Sequence, residues 1–170
     1  TEYCNGDDVV LTVTATGTNL NYQWYKNAAS IGGETNSNLV LTGAAIAEQG
    51  VYYCEVSNYC TPQTSSSATL TMNSPTALSV QPSGDNICVG DNATMSVTAS
   101  GTYLTYSWTQ DGNAISDTGK YTGTSASALV VTGADTDYDG IYVCEISGFC
   151  GDVTSNQANL IVNTKLAITA

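Results

Sequence analysis

The sequence repeats itself once, and this repeat constrains the fold more than any other feature. The first copy opens on Cys4-Asn-Gly-Asp7 and the second on Cys88-Val-Gly-Asp91, at an offset of 84. The copies align without a gap as far as Trp24 and Trp108, after which six extra residues in the second copy raise the offset to 90. A repeat of this length is a whole domain rather than a solenoid unit. The predicted segments are domain one over residues 1–73, domain two over 74–163, and a tail over 164–170.

Short runs of alternating apolar residues account for most of both copies. The runs of the first copy are Val9–Ala15, Leu20–Trp24, Leu39–Leu41, Tyr52–Val56 and Ala68–Met72. Their counterparts in the second copy are Ala93–Ala99, Leu104–Trp108, Leu129–Val131, Tyr142–Ile146 and Ala158–Val162. Turn-forming Gly, Asn, Asp and Ser separate the runs, and none has a sustained helical period. Many short strands with one buried face predict an all-β fold of two tandem two-sheet sandwiches.

Composition restricts both the partners and the compartment. The 170 residues carry a net charge of −12, and the three cations are lysines, with no arginine. Phosphate binding needs clustered Lys or Arg, so nucleic acid and anionic membrane surfaces are excluded as partners. No apolar run reaches the length that a bilayer span requires, so we expect no membrane insertion. Six cysteines, together with polar positions rich in Ser, Thr and Asn, favour an extracellular or cell-surface location.

The later part of each copy resembles the immunoglobulin superfamily, and the resemblance covers nearly the whole chain. Gln49-Gly-Val-Tyr52-Tyr-Cys54 and Asp139-Gly-Ile-Tyr142-Val-Cys144 are similar to the family's strand F motif. Trp24 and Trp108 stand where the family has the buried tryptophan of strand C. The resemblance implies that both tryptophans lie in the cores and that the two motif tyrosines form tyrosine corners, whose hydroxyls bond nearby backbone.

Strand B departs from the family. Its usual disulfide cysteine falls on Val13 and Val97, so the family's inter-sheet disulfide cannot form. The Cys-x-Gly-Asp opening and the late second cysteine also look like the Ig-like repeats of large prokaryotic surface proteins of the Bacteroidota type, which include gliding and adhesion proteins. This narrower resemblance implies an adhesin or filament protein built from many such modules.

Three cysteines in each domain leave one thiol without an intradomain partner. Cys54 and Cys144 have inward parity on strand F, which predicts buried free thiols. In a standard sandwich the turn before strand B and the F–G turn lie at opposite ends, so any bridge between them requires strand A or the F–G segment to leave its usual path. A bridge from Cys54 to Cys60 across the F–G hairpin is the alternative. The preferred prediction pairs Cys4 with Cys60 and Cys88 with Cys150.

No catalytic, cofactor or metal site is predicted. The absence of histidine excludes Ser–His and Cys–His nucleophiles and His-ligated zinc. Asp135–Gly140 resembles the start of an EF-hand loop, but the glutamate of the twelfth position is missing. Asn92-Ala-Thr94 is a glycosylation sequon at a predicted turn, which makes Asn92 a candidate for modification. The candidates for stacking on a glycan are Tyr25, Tyr53, Tyr59, Tyr103 and Tyr121.

The two ends of the sequence carry a further pattern. Leu78 and Val80 supply a first strand, strand A, for the second domain, whereas only three residues precede Cys4 in the first. Leu166 and Ile168 repeat the spacing of Leu78 and Val80 just after the last strand. We therefore expect the first sandwich to lack its A strand and the tail to be a donor strand or the start of a further domain.

Three interpretations of these ends are open. The chain is one period of a longer covalent array, or its tail inserts into the next subunit as in donor-strand complementation, or the end positions have no bearing on assembly. Either of the first two gives a head-to-tail, non-closing contact, which generates a filament.

The leading functional prediction is a structural module of an extracellular filament or giant surface adhesin, assembled head to tail by strand complementation or covalent continuation. Its partners would be copies of itself or neighbouring Ig-like domains. The alternative is a glycan- or protein-binding module of a cell-surface or secreted protein. A third is an accessory domain of an enzyme encoded elsewhere in a longer protein, since catalysis by these residues themselves is not expected.

Overall fold

A computed structural model describes residues 1–167 of the chain. The chain divides into two compact units, which we call module 1 (Thr1–Ser74) and module 2 (Pro75–Ala170). Across the described residues the regular structure consists of short β-strands and two 3-10 turns, Ile46–Glu48 and Thr136–Tyr138. The all-β prediction is therefore confirmed.

Module 1 is a sandwich of a larger and a smaller sheet. The larger sheet has the order β1-β8-β6-β3-β4, with β7 added beside β6, and the smaller one pairs β2 with β5. The strands are β1 (Glu2–Cys4), β2 (Val9–Thr12), β3 (Asn21–Lys26), β4 (Ala29–Ser30), β5 (Asn38–Leu41), β6 (Gly50–Ser57), β7 (Gln63–Thr64) and β8 (Ala68–Asn73).

Module 2 repeats this arrangement and extends it. Its larger sheet has the order β10-β19-β17-β13-β14 with β18 beside β17, its second sheet is β11-β16-β15, and β12 pairs with β9. The strands are β9 (Ala77–Val80), β10 (Asp85–Cys88), β11 (Ala93–Ser96), β12 (Thr98–Ser100), β13 (Thr105–Gln110), β14 (Asn113–Ala114), β15 (Tyr121–Thr122), β16 (Ala128–Val131), β17 (Gly140–Gly148), β18 (Gly151–Thr154) and β19 (Ala158–Asn163).

The inward residues of the alternating runs form one apolar core in each module. Trp24 is 3% exposed and Trp108 is fully buried, and each indole N–H donates to a backbone oxygen at 2.9 Å, that of Asn36 or Ala126. A buried indole N–H needs such a partner, because leaving it unpaired would cost desolvation energy. The remaining buried apolar residues are Val9, Leu39, Ala44, Tyr52, Cys54, Val56, Leu70 and Met72 in module 1, and Ala93, Met95, Val97, Leu129, Val131, Ala134, Tyr142, Cys144, Ile146, Ala158, Leu160 and Val162 in module 2.

Both strand-F tyrosines make the corner that the resemblance implied. The Tyr52 hydroxyl donates to the backbone oxygen of Glu48 at 2.6 Å, and the Tyr142 hydroxyl donates to the backbone oxygen of Tyr138 at 2.8 Å. Each bond ties β6 or β17 to the 3-10 turn that precedes it. Burial raises the pKa of both hydroxyls, so they stay neutral donors at any physiological pH.

The strand prediction needs one refinement at the start of module 1. Three residues suffice for a strand there, because β1 pairs in parallel with β8, placing Cys4 beside Asn73. In module 2 the equivalent strand is β10, which places Cys88 beside Asn163. Residues 1–74 thus include a counterpart of β10, and β9 has no counterpart among them.

Candidate functional site: an open strand edge on module 1

Strand β9 shows what the missing element does where it is present. In module 2 it pairs antiparallel with β12, matching Val80 to Thr98 and Leu78 to Ala99, and Leu78 packs against the core. Just after β9, the Gln81 side-chain oxygen accepts the Asn156 N–H at 2.7 Å. β9 and the residues after it therefore close the edge of module 2 between β12 and β19.

Module 1 leaves the same edge open. Residues 14–16, which correspond to β12, belong to no strand, although every residue of module 1 is described. Beside them lies a groove of about 270 Å³, lined mainly by Val13, Ala15, Leu20, Val56 and Ser65. A second groove of about 430 Å³ continues along β2 past Leu11 to Ala68. Unpaired backbone next to apolar surface is the arrangement that favours addition of a strand.

Matched residues of the two modules differ in burial. Met95 and Val97 of module 2 are 0% and 4% exposed, whereas their counterparts Leu11 and Val13 are only partly buried. Ala158 is 1% exposed at the start of β19, and its counterpart Ala68 is again only partly buried. The sequence does not reveal this difference, because the apolar alternation is the same in both copies. In module 2 the residues after Val97 pair with β9, whereas residues 14–16 of module 1 belong to no strand.

The tail is the sequence-predicted partner of this edge. Leu166 is 92% exposed, and residues 164–167 form no strand. Ile168, the second residue of the predicted assembly strand, lies outside the described residues. At the ungapped offset of 90 between the last strands of the two modules, Ile168 rather than Leu166 aligns with Leu78. Both residues therefore belong in any test of the tail.

The cysteine pairing differs from the preferred prediction. Cys54 and Cys144 are free thiols with 0% exposure, and burial raises the pKa of both, that of Cys144 to about 11. The pairs Cys4–Cys60 and Cys88–Cys150 are not formed, since Cys60 and Cys88 are free and exposed. Cys4 and Cys150 are both disulfide-bonded. The alternative bridge from Cys54 to Cys60 is absent as well, because both thiols are free.

Strand geometry explains why the predicted pairs fail. Cys4 lies beside Asn73, beyond the Gly50 end of β6, since Gly50 pairs with Leu70. Cys60 lies beyond the other end of β6, which closes at Ser57. The seven residue-to-residue steps from Gly50 to Ser57 cover about 23 Å, whereas a disulfide needs Cα atoms within about 7 Å. The conflict between opposite ends noted from the sequence is therefore decisive.

The other candidate residues have structural roles or remain exposed. Asn92 lies at an exposed turn, where its side-chain oxygen accepts the Gly133 N–H at 2.7 Å. Asp8 does the same for Gly43 at 2.7 Å, so the position serves the turn whether or not Asn92 is modified. Asp135 of the EF-hand-like stretch is held by Lys120 at 2.7 Å, which lowers the pKa of its carboxyl.

Among the aromatic candidates, Tyr25 and Tyr53 stack on each other with centroids 4.9 Å apart. Tyr59 and Tyr103 are 93% and 68% exposed, and the Tyr103 ring meets Phe149 edge-on. Tyr121 is partly buried, with its hydroxyl 3.1 Å from that of Tyr142.

Metal-binding clusters and membrane-spanning helices are both absent from the described residues. The stretch from 1 to 167 brings together no group of three or more Cys, Asp or Glu side chains suited to holding a metal ion. The same stretch contains no helix with the length and apolar character to cross a bilayer.

Comparison with known proteins finds likeness in structure rather than in sequence. A scan against protein-family models finds no match, and a search of curated proteins finds none either. Among solved structures, titin domains I67–I69 in an E-to-A variant match with a TM-score of 0.78 at 18% identity, over 96% of this chain and 62% of that one. Drosophila OTK extracellular domains 3–5 match with a TM-score of 0.73 at 17% identity, over 96% and 59%.

A third match is the insect immune protein hemolin, with a TM-score of 0.63 at 22% identity, over 96% of this chain and 44% of that one. The chain thus spans about three fifths or less of each of these solved structures. At such identities the likeness concerns the fold. The chain has the immunoglobulin-like fold, as two β-sandwich modules in tandem.

Proposed function

We propose that this chain is a structural module of an extracellular filament or surface adhesin, in which modules follow one another head to tail. The proposal is supported mainly by the edge at residues 14–16 of module 1, which is unpaired, whereas the matching edge at β12 of module 2 pairs with β9. The proposed occupant of the edge is the segment 165–170 of a second copy. Leu166 and Ile168 would lie beside residues 14–16 of module 1, as β9 lies beside β12 in module 2.

The free energy from burying this strand is enough to set the register of the assembly but not to hold the copies together by itself. Leu78 is only partly buried and Val80 is 51% exposed in module 2. Full burial of one such side chain contributes roughly 1.5–3 kcal/mol, so a half-buried donor strand contributes only a few kcal/mol. Association itself costs about 4–15 kcal/mol. Strand pairing would set the register and direction of the assembly, and covalent links would make it permanent.

Several features agree with this function. The charge of −12 argues against nucleic acid and anionic membranes as partners. Hemolin has a domain arrangement with implications for homophilic adhesion, and the matched domains of OTK are extracellular. The resemblance of the Cys-x-Gly-Asp openings to prokaryotic adhesin repeats points the same way. Glycan or protein recognition through exposed Tyr59 or Tyr103 is the second candidate.

The test is self-association of the chain with and without its tail. We expect concentration-dependent oligomers of the full chain in analytical ultracentrifugation, and their loss when residues 165–170 are deleted. The double variant Leu166→Asp and Ile168→Asp should behave like the deletion, since it keeps chain length but removes apolar burial. Lys165→Ser is the matched control and should associate normally. Association that survives both the deletion and the double variant would refute the proposal.

A further inference from the structure

Two exposed thiols mark equivalent positions at which the other copy is disulfide-bonded. Cys60 and Cys88 are free and exposed. By the internal repeat, Cys88 is the counterpart of Cys4 at the offset of 84, and Cys60 is the counterpart of Cys150 at the offset of 90. Cys4 and Cys150 are both disulfide-bonded. Besides its buried thiol, each module thus has one disulfide-bonded cysteine and one exposed free cysteine. The bonded one is the opening cysteine in module 1 and the F–G cysteine in module 2.

The turn that carries the opening cysteine is built identically in both modules. The Cys4 N–H donates to the Asp7 carboxylate at 2.8 Å, and the Gly6 N–H donates to the Ala44 oxygen at 2.8 Å. In module 2 the corresponding distances are 3.1 Å, from the Cys88 N–H to Asp91, and 2.7 Å, from Gly90 to Ala134. Cys88 is therefore held in the same local geometry as a cysteine that forms a disulfide.

The second kind of cysteine lies in the F–G connection. Cys150 sits in the tight turn between β17 and β18, where Gly148 pairs with Gly151. Cys60 sits in the longer connection between β6 and β7, where its N–H donates to the Asn58 side-chain oxygen at 2.8 Å. Cys60 is exposed, whereas Cys150 is partly buried.

The polarity of the modules dictates which cysteines can meet. Within one module the two kinds lie at opposite ends of β6 or β17, too far apart to bond. The opening cysteine lies where the chain leaves a module, because Cys4 is beside Asn73 at the end of β8. The F–G cysteine lies where the chain enters one, because Gly148 leaves room for the side chain of Thr76, just before β9.

We propose that a disulfide links successive copies, from the opening cysteine of module 2 in one copy to the F–G cysteine of module 1 in the next. It joins Cys88 of one copy to Cys60 of the copy whose module 1 follows. This inference rests on the proposed head-to-tail assembly and supplies the permanence that the half-buried donor strand lacks.

The tail brings the two thiols together. Asn163 lies beside Cys88, so the tail leaves module 2 next to this thiol. The open groove on module 1 is lined by Asn58 and Thr61, which flank Cys60 in sequence. A tail seated in the groove would therefore hold Cys88 near Cys60 of the next copy.

The bond forms by two thiol–disulfide exchanges with a low-molecular-weight disulfide such as oxidised glutathione. The Cys88 thiolate attacks one glutathione sulfur, forms a mixed disulfide and releases one glutathione thiolate. The Cys60 thiolate of the next copy then attacks the Cys88 sulfur and releases the second. Two protein thiols are oxidised, one glutathione disulfide is reduced to two thiols, and the two protein protons pass to the released thiolates.

The test mixes two full-length variants in a buffer containing oxidised glutathione. Cys60→Ser keeps only the Cys88 thiol exposed, and Cys88→Ser keeps only the Cys60 thiol. We expect each variant alone to stay monomeric on a non-reducing gel and the mixture to give a dimer that reduction abolishes. The unsubstituted chain should give a ladder of oligomers, and mass spectrometry of its digest should show a peptide of Cys60 bonded to one of Cys88. Cys144→Ala, a substitution at a buried thiol, should leave the ladder unchanged.

Three results would overturn the inference. Dimers in either variant alone would indicate Cys60–Cys60 or Cys88–Cys88 bonds rather than the complementary pair. Tail-dependent oligomers without any bond between Cys60 and Cys88 would reject the disulfide and leave the proposed assembly standing. The absence of both tail-dependent oligomers and the bond would reject the two together.

Discussion

Replacing valine by alanine at the matched positions 13 and 97 measures directly how open the edge of module 1 is. Val97 of module 2 is 4% exposed, whereas Val13 lines the groove of module 1 and is only partly buried. Removing two buried methyl carbons at about 0.8 kcal/mol each, with a cavity contribution, gives about 2 kcal/mol for Val97→Ala. Val13 retains contact with solvent, so Val13→Ala should cost about 1 kcal/mol.

The difference should vanish once the groove is filled. A donor strand in the groove would bury Val13 as fully as Val97 is buried in module 2, so the cost of Val13→Ala should rise to about 2 kcal/mol in the assembled chain. A difference of about 1 kcal/mol changes the folded-to-unfolded ratio roughly fivefold, which urea titration can resolve.

Hydrogen-exchange mass spectrometry during urea unfolding gives the free energy of unfolding of each module separately. The chain without residues 165–170 provides the empty groove, and the full chain at high concentration provides the filled one. Equal costs at both positions in the tail-deleted chain would show that the edge is not open. A cost at Val13 that ignores assembly would show that the tail does not occupy it.

Two further predictions follow from single hydrogen-bonded groups. Tyr52→Phe should destabilise module 1 by about 1 kcal/mol, because it removes one hydrogen bond to backbone. Tyr142→Phe should cost about 2 kcal/mol, because Tyr121 also loses a neighbour; equal thermal shifts in module-resolved hydrogen exchange would contradict this ordering. Hydrogen bonds from Thr124 lower the pKa of the Asp117 carboxyl, so its stabilisation is present above the unfolded-state pKa and is lost as pH falls through the lowered value. Asp117→Asn should flatten the acid limb of stability against pH, measured by thermal unfolding from pH 2 to 5, and an unchanged limb would count against the assignment.

The core could be predicted well from the sequence because it depends on local pattern. Alternation with a period of two decides which side chains face inward, and the tryptophan, tyrosine and cysteine positions recur in both copies. The burial of Trp24 and Trp108 and the strand at Leu78 and Val80 agree with this pattern, whereas the tyrosine corners were implied by the resemblance to the immunoglobulin superfamily. The net charge also restricts the partners without any reference to structure.

The candidate site was only partly predictable. The sequence indicated that module 1 lacks a strand, but not that three residues still pair in parallel with β8. It also could not show that Leu11 and Val13 are left partly bare, since their counterparts Met95 and Val97 follow the same alternation. That contrast in burial accompanies the pairing of β9 with β12 in module 2, which only the tertiary structure shows.

The sequence by itself determined that the protein is two β-sandwich modules with matched cores, because inward and outward positions are encoded locally and repeated. The tertiary structure decided which cysteines can bond and where an edge stays open. Both depend on which strand ends meet, and this is set by long-range pairings such as that of β1 with β8. The parallel pairing places Cys4 beside Asn73, a full strand length from Cys60, and this distance prevents a disulfide between Cys4 and Cys60.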